Sequence, residues 1–291
     1  MKVYIGIGTE LAQLAPSYVL KKTLHKFGNS LSLSISNLNE EKSYVEFEEI
    51  KGVQNATTFS FQRFFVPSIA ISKDCDVAIY LDSDIVCLGD FEEALISFFN
   101  SEYDIAVASP RENLNQGVQT AVMFFKVNSN IVNKFDQLIR KIPNLHRSDY
   151  AELMHGFLSD FDVIHLSSNY NSRDQYDNNT VFLHYTDLYT QPWVSIFRKE
   201  RDIWLQLSDS LYRDDAIYKK ILDKGIEQKF YLKSLNPNFS RPLISDLYHL
   251  PPVFRYHPKI VIISRYVPEW VLGFGVQFVS LVRSLFSLRF T

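Results

Sequence analysis

The sequence predicts an α/β protein built on a mixed, mostly parallel sheet flanked by helices, with a C-terminal extension. Three observations predict it. Short apolar runs alternate with helical patterns over roughly the first 200 residues. One of those runs ends in a pair of aspartates. Hydrophobic residues make up 46% of the chain, enough for a large core. Val3-Tyr4-Ile5-Gly6-Ile7 reads as the first strand, turning at Gly8-Thr9-Glu10. Pro16 suits the first turn of a helix over 17–26, and Gly28 suits its stop. Leu31, Leu33 and Ile35 alternate with serines, as in a half-buried strand. The stretch 57–71 reads as a helix around Phe61, Phe64, Phe65 and Ile69, with Pro67 as its kink. Residues 76–81 read as a buried strand, 91–99 as a helix, and 105–108 and 121–125 as buried strands. Helices are expected over 128–139 and 149–158, and a late strand over 181–185. After residue 226 the prolines at 237, 242, 251, 252, 258 and 268 cut the chain into short pieces. The expected division is a domain over 1–225 and the extension over 226–291.

Composition excludes several classes. A formal net charge of −3 argues against a broad nucleic-acid-binding surface. Cys75 and Cys87 have no metal-binding spacing and cannot form a disulfide framework, which fits a reducing compartment. The chain enters a strand at once, with no run resembling a secretory signal, and no stretch reaches the roughly 18 apolar residues of a spanning helix. A cytoplasmic protein is the expectation. Aromatic residues make up 14% of the chain, and most of them must be core.

The most informative stretch is Ile79-Tyr80-Leu81-Asp82-Ser83-Asp84-Ile85-Val86. An apolar strand delivers Asp82 and Asp84 to its own C-terminal end, the edge at which open α/β sheets bind ligands. Two close carboxylates repel unless a cation lies between them. Hard oxygen ligands suit Mn²⁺ or Mg²⁺, ions usually shared with a phosphate-bearing substrate. The octet thus points to a metal-dependent enzyme acting on a nucleotide or nucleotide-sugar.

Further motifs follow in order. Thr58-Phe59-Ser60-Phe61-Gln62-Arg63-Phe64 precedes the aspartates; Gln119-Thr120-Ala121-Val122-Met123, His184-Tyr185-Thr186 and Gln191-Pro192-Trp193 follow them. In this order they resemble the GT-A glycosyltransferases of the glycogenin type, family 8, which include bacterial lipooligosaccharide galactosyltransferases. The resemblance covers roughly residues 1–205. It implies a Rossmann-like GT-A fold and a retaining hexosyltransferase. The donor would be a nucleotide-diphospho-sugar, most often a UDP-sugar, used with Mn²⁺, or Mg²⁺ in its stead, and the acceptor a glycan or glycolipid. By the same resemblance Asp82, Asp84 and His184 are the metal ligands. Gly8, Thr9, Glu10, Arg63, Ser83 and Gln191 lie where the family contacts the donor. Gly8 either lets the backbone approach the base or ribose closely or makes an ordinary turn. Arg63 matches an arginine that contacts the donor sugar and supports the aspartate loop. Gln119 stands where the family usually has Asn in the strand lining the sugar pocket. Glu152 either faces the sugar or lies on a solvated helix face. The chain departs from the family after the metal histidine. Asp187 and Gln191 stand in the neighbourhoods of its usual Gly and Lys, so the diphosphate charge must be met elsewhere, with Arg198 and Lys199 as candidates.

The tail, 270–290, places Gly273, Gln277, Ser280, Ser284 and Ser287 on one helical stripe, with apolar residues over the rest and no acidic residue after Glu269. It suits either a helix lying in an anionic membrane interface, making peripheral contact through 267–290, or one docked on the core. Other readings of the octet compete. A haloacid-dehalogenase-like phosphatase would use Asp82 as nucleophile, but no later Lys and acidic pair present themselves. A nucleotidyltransferase would need a Gly-rich basic loop after the first strand. A catalytically inactive nucleotide-sugar-binding scaffold has the missing Lys in its favour and the intact ligand set against it.

Overall fold

The computed structural model describes residues 1–45, 58–108, 119–142, 153, 156–188, 190–195, 200–238, 246, 273–275 and 277–278. The chain divides into two compact units. Met1–Glu10, Leu20–Ser172 and Asp177–Leu183 make the first; Leu11–Val19, Arg173–Tyr176 and His184–Thr291 make the second.

The chain opens with β1 (Lys2–Gly8), α1 (Leu14–Phe27) and β2 (Ser32–Asn37). Pro16 lies in the first turn of α1, and the Gly28 N–H closes its end on the Leu24 carbonyl at 2.9 Å. The stretch expected as one kinked helix is a 3₁₀ helix, Thr58–Phe65, running into α2 (Val66–Ser72). Pro67 therefore kinks nothing. It sits in the first turn of α2, where an absent N–H forfeits no intrahelical bond. Then come β3 (Val77–Asp82), β4 (Ile85–Cys87), α3 (Glu92–Asn100), β5 (Ile105–Ala108), β6 (Gln119–Lys126) and α4 (Ser129–Lys141). Asn128 caps α4, its side-chain oxygen accepting from the Ile131 N–H at 3.0 Å. Of the helix expected over 149–158, residues 149–152 and 154–155 lie outside the described residues, and Phe157–Asp160 form a 3₁₀ turn. β7 (Val163–Leu166), β8 (Ser172–Arg173) and β9 (Phe182–His184) complete the strands.

Six strands form one sheet in the order β2-β1-β3-β6-β5-β7. β6 runs antiparallel to both neighbours and every other pairing is parallel, so the sheet is mixed and mostly parallel. Side chains alternate across it. Tyr4, Ala78, Tyr80, Met123 and Phe125 join one core with α2 and α4, while Val3, Ile5, Ile79, Leu81 and Phe124 join another with α1 and α3. β2 is an edge strand and only half-buried, as its Ser/Leu/Ile alternation predicts. The chain leaves β1 for β2 on one side and later takes up β3 on the other. The crevice at the carboxyl ends of β1 and β3 is therefore the topological switch point, where such sheets take their ligands. A second sheet has the order β4-β9-β8.

In the second unit α5 (Arg201–Asp214) and α6 (Ala216–Glu227) pack together, the Ser208 hydroxyl pairing with the Tyr218 hydroxyl at 2.7 Å and the Tyr212 hydroxyl donating to Asp223 Oδ1 at 3.0 Å. Asp215 caps α6, accepting from the N–H groups of Ile217 and Tyr218 at 3.0 and 3.1 Å. Of the tail helix, residues 273–275 and 277–278 are described and are helical. No helix among the described residues is long and apolar enough to cross a membrane.

Candidate functional site

The site is built on the register between β1 and β3, which sets Gly6 beside Tyr80 and Gly8 beside Asp82. The Ser83 N–H donates to the Gly8 carbonyl at 3.1 Å, so the aspartate loop is tied to the end of β1. Tyr80 and Asp82 lie on the same face of β3, two residues apart. The phenol uses that proximity to donate to Asp82 Oδ1 at 2.5 Å. Burial, then the Asp82 charge, raises the Tyr80 phenol well above its ordinary range, so it stays protonated and acts as the donor. A Cβ at position 8 would meet the Tyr80 hydroxyl at 2.4 Å, which gives Gly8 a reason inside the fold.

Thr9 is fully buried and gripped by Gln62. Its N–H donates to Gln62 Oε1 at 2.7 Å, and Gln62 Nε2 donates to its carbonyl at 3.1 Å. The Thr9 hydroxyl donates to the Ile7 carbonyl at 3.1 Å. Glu10, the next residue, is exposed. Arg63 is 6% exposed. Its Nε donates to the Ser60 carbonyl and its Nη1 to the Thr120 carbonyl, both at 3.0 Å, and Nη1 also reaches the Thr120 hydroxyl. Nη2 lies 3.7 Å from Asp82 Oδ1, and the guanidinium carbon stands 4.9 Å from the Tyr80 ring centroid. Gln119, half-buried, opens β6 one residue before Thr120.

Asp82 ends β3, Asp84 stands one residue before β4, and His184 ends β9, which is hydrogen-bonded to β4. One ligand atom from each of Asp82, Asp84 and His184 lies within 4.8 Å of the others. Two ligands of one small divalent ion, each roughly 2.1 Å from it, are at most about 4.2 Å apart. Small side-chain rotations thus close this set on an ion. Two carboxylate oxygens and an imidazole nitrogen are donors that Mn²⁺ accepts, so the residues present fit a divalent cation.

Beyond β9 the turn is held by Asp174, a residue with φ of 55°. Its carboxylate accepts from the Thr186 N–H at 2.9 Å and from the Thr186 hydroxyl, and its own N–H donates to the His184 carbonyl at 2.9 Å. Gln191 is 4% exposed, and its Nε2 donates to the Tyr185 carbonyl at 3.0 Å. Glu152, Arg198 and Lys199 lie outside the described residues.

Sequence reasoning gave no role to Tyr80, Gln62, Thr120 or Asp174. Tyr80 had a signal, since a tyrosine two residues before a strand-end aspartate shares its face. Gln62 had a weaker one, as the polar member of an aromatic run. Asp174 had none, because its partners are set by the return of a distant strand.

No protein-family model matches the sequence, and no curated protein matches it. Several solved structures are similar in part. The apo-form glycosyltransferase GlyE of Streptococcus pneumoniae TIGR4 is 18% identical, with a TM-score of 0.49 over 79% of this chain and 64% of GlyE. The bifunctional glycosyltransferase WbbM in its apo form is 14% identical, with a TM-score of 0.48 over 71% of this chain and 49% of WbbM. The galactosyltransferase LgtC, in complex with donor and acceptor sugar analogues, is 10% identical, with a TM-score of 0.38 over 77% of this chain and 96% of LgtC. The chain therefore spans less than two thirds of GlyE's length and about half of WbbM's.

Proposed function

We propose that the chain is a metal-dependent glycosyltransferase that moves a hexose from a nucleotide-diphospho-sugar, a UDP-sugar, to a glycan or lipid-linked acceptor. The observation that carries this reading is the Asp82, Asp84 and His184 donor set, with its aspartates at the carboxyl edge of a central strand. The switch-point crevice beside it supports a nucleotide there. On this reading residues 1–225 are the transferase domain and 226–291 its extension.

The end of β1, Gly8 to Glu10, meets the nucleoside, with Thr9 held in place by Gln62 and Glu10 exposed. Ser83, Arg63 and Gln191 serve the donor's diphosphate and sugar, and Gln119 and Glu152 face the sugar being moved. Asp82, Asp84 and His184 would hold a Mn²⁺ ion, which when bound would supply positive charge to the diphosphate as the glycosidic bond breaks. Arg63 adds a fixed cation beside Asp82 and keeps the aspartate loop from shifting as charge builds. The resemblance to family 8 implies retention, so a UDP-α-sugar gives an α-linked product. Anomeric coupling in the NMR spectrum of the product checks this, and a β-linked product removes the family assignment.

The tail is proposed to hold the protein at the cytoplasmic face of a membrane. Phe274 and Phe278, one helical turn apart, are 49% and 56% exposed, which supports that reading.

The deciding experiment is a panel of nucleotide-sugars incubated with the full chain and Mn²⁺, read by released nucleotide. Turnover with one donor, abolished by chelation, is expected. Asp84→Ala is expected to fold normally and fall below about a hundredth of wild-type turnover, since losing a ligand exceeds the loss from an outer partner. Release of phosphate from a phosphate ester, with no nucleotide released from any sugar donor, overturns the reading.

A further inference from the structure

The Asp82 carboxylate of the donor set is held by a phenol from the core. A strand-end aspartate with water around it samples several rotamers, and an ion that binds it must first select one. Here the choice is made by the fold. Tyr80, fully buried in the interior of β3, donates to Asp82 Oδ1 at 2.5 Å. Three neighbours fix the phenol. Its ring is packed in the core cluster that includes Phe61 and Phe64. Arg63 lies over it at 4.9 Å. The α-carbon of Gly8 leaves just enough room for the hydroxyl, since a Cβ there would stand 2.4 Å from the oxygen and 3.0 Å from two ring carbons. Arg63 Nη2 lies 3.7 Å from the same Oδ1, farther than the short bond that the phenol makes.

We propose that Tyr80 is the positioning residue of the metal site. Seated against Gly8, its hydroxyl fixes the Asp82 carboxylate in the orientation that a divalent cation requires before the cation arrives. The inference rests on the metal-centre reading above and adds to it a device built from Gly8, Tyr80 and Asp82. Preorganisation of this kind lowers the ordering cost of binding, and outer partners of metal ligands typically contribute ten- to a hundredfold in affinity. It also gives Gly8 a part in metal binding without contact with the ion.

The test is Mn²⁺ binding to the full chain, measured without substrate by electron paramagnetic resonance and by water-proton relaxation. Circular dichroism serves as the check on folding. Tyr80→Phe keeps the ring and removes the hydroxyl, and is expected to weaken Mn²⁺ binding by about tenfold or more. Gly8→Ala drives the phenol from its place and is expected to weaken binding similarly. The double variant is expected to be little worse than either single one, since both break the same bond. Tyr4→Phe is the control. Tyr4 is equally buried, on the neighbouring strand, and its hydroxyl pairs with Ser36 at 2.9 Å, away from the aspartates. Its loss is expected to leave Mn²⁺ affinity unchanged. Asp84→Ala, expected to lose Mn²⁺, separates the two layers of the argument. If Asp84→Ala loses the ion while Tyr80→Phe and Gly8→Ala bind within about twofold of wild type, the positioning role is wrong and the metal centre stands. The role is also wrong if Tyr4→Phe weakens binding as much as Tyr80→Phe. If Asp84→Ala binds as wild type does, the metal centre itself is wrong and the inference goes with it.

Discussion

Arg63 is a guanidinium enclosed by aromatic residues, with Phe61, Phe64 and Phe65 all buried around it in sequence. Burying a cation is costly, and the cost is met only if its donors are used. Arg63 uses them on Ser60 and Thr120 and has Asp82 Oδ1 as a counter-charge 3.7 Å from Nη2, groups on three different segments. A lysine carries the same charge but has one nitrogen, which cannot serve all three. Arg63→Lys is therefore expected to lower unfolding stability by about 2 kcal/mol or more in urea titrations. It is also expected to lower turnover of the donor identified in the panel, because the aspartate loop loses its brace. A variant as stable and as active as wild type would show that the charge alone matters there. The sequence made Arg63 legible, because a cation amid aromatic residues needs partners. It did not say which partners, since Thr120 reaches the site only through the antiparallel placement of β6 beside β3.

At the scale of elements, the turn after β9 shows how a short strand is made to end in a fixed direction. β9 has three residues, too few to hold His184 by ladder bonds alone. Asp174 supplies the rest, bonding the His184 carbonyl with its N–H and the Thr186 backbone and hydroxyl with its carboxylate. Its φ of 55° is one that Asp and Asn tolerate better than other residues with a side chain. Asp174→Asn is expected to be mild, keeping an acceptor and the backbone preference. Asp174→Ala loses both and is expected to cost about 2 kcal/mol, with weaker Mn²⁺ activation of turnover. Equal stability of the two variants in thermal melts would remove the role.

The same contrast between local and distant causes explains which elements were legible. β1, β3, β5 and β6 announce themselves as apolar runs because they are covered on both faces. β4, β7 and β8 do not, being two to four residues long and defined by partners far along the chain. α5 and α6 are amphipathic, but their buried faces include Arg201, Ser208 and Gly225 and so make a weak apolar pattern. The aromatic residues of the 3₁₀ helix before α2 fit either helical period, so the sequence does not separate the two; Pro67, in the first turn of α2, marks the change.

For the molecule as a whole the open question is what its tail meets. The sequence places the polar stripe through Gly273 and Gln277 on one side and the phenylalanines on the other, but leaves both sides free to face the protein. In the second unit Gln277 is 1% exposed, and its Nε2 donates to the Val194 carbonyl at 2.8 Å. Phe274 and Phe278 are about half exposed. The polar stripe, at these positions, is thus the side turned to protein, and the aromatic side is turned outward. Bringing two phenylalanines into a membrane interface is worth roughly 1.5–3 kcal/mol each when burial is complete, and less here because each is already half covered. That is marginal anchoring, which Arg283 and Arg289 of the tail would reinforce on an anionic surface. The full chain is therefore expected to co-sediment with anionic liposomes at low salt and to be released as salt rises. Phe274→Ser with Phe278→Ser is expected to abolish co-sedimentation while leaving turnover of a soluble donor intact, because neither ring packs in the core. Gln277→Ala, by contrast, leaves the Val194 carbonyl without its donor and is expected to loosen the tail and lower the melting temperature. If the double serine variant still binds liposomes, or if it unfolds, the phenylalanines belong to a protein surface and the membrane reading of the tail falls.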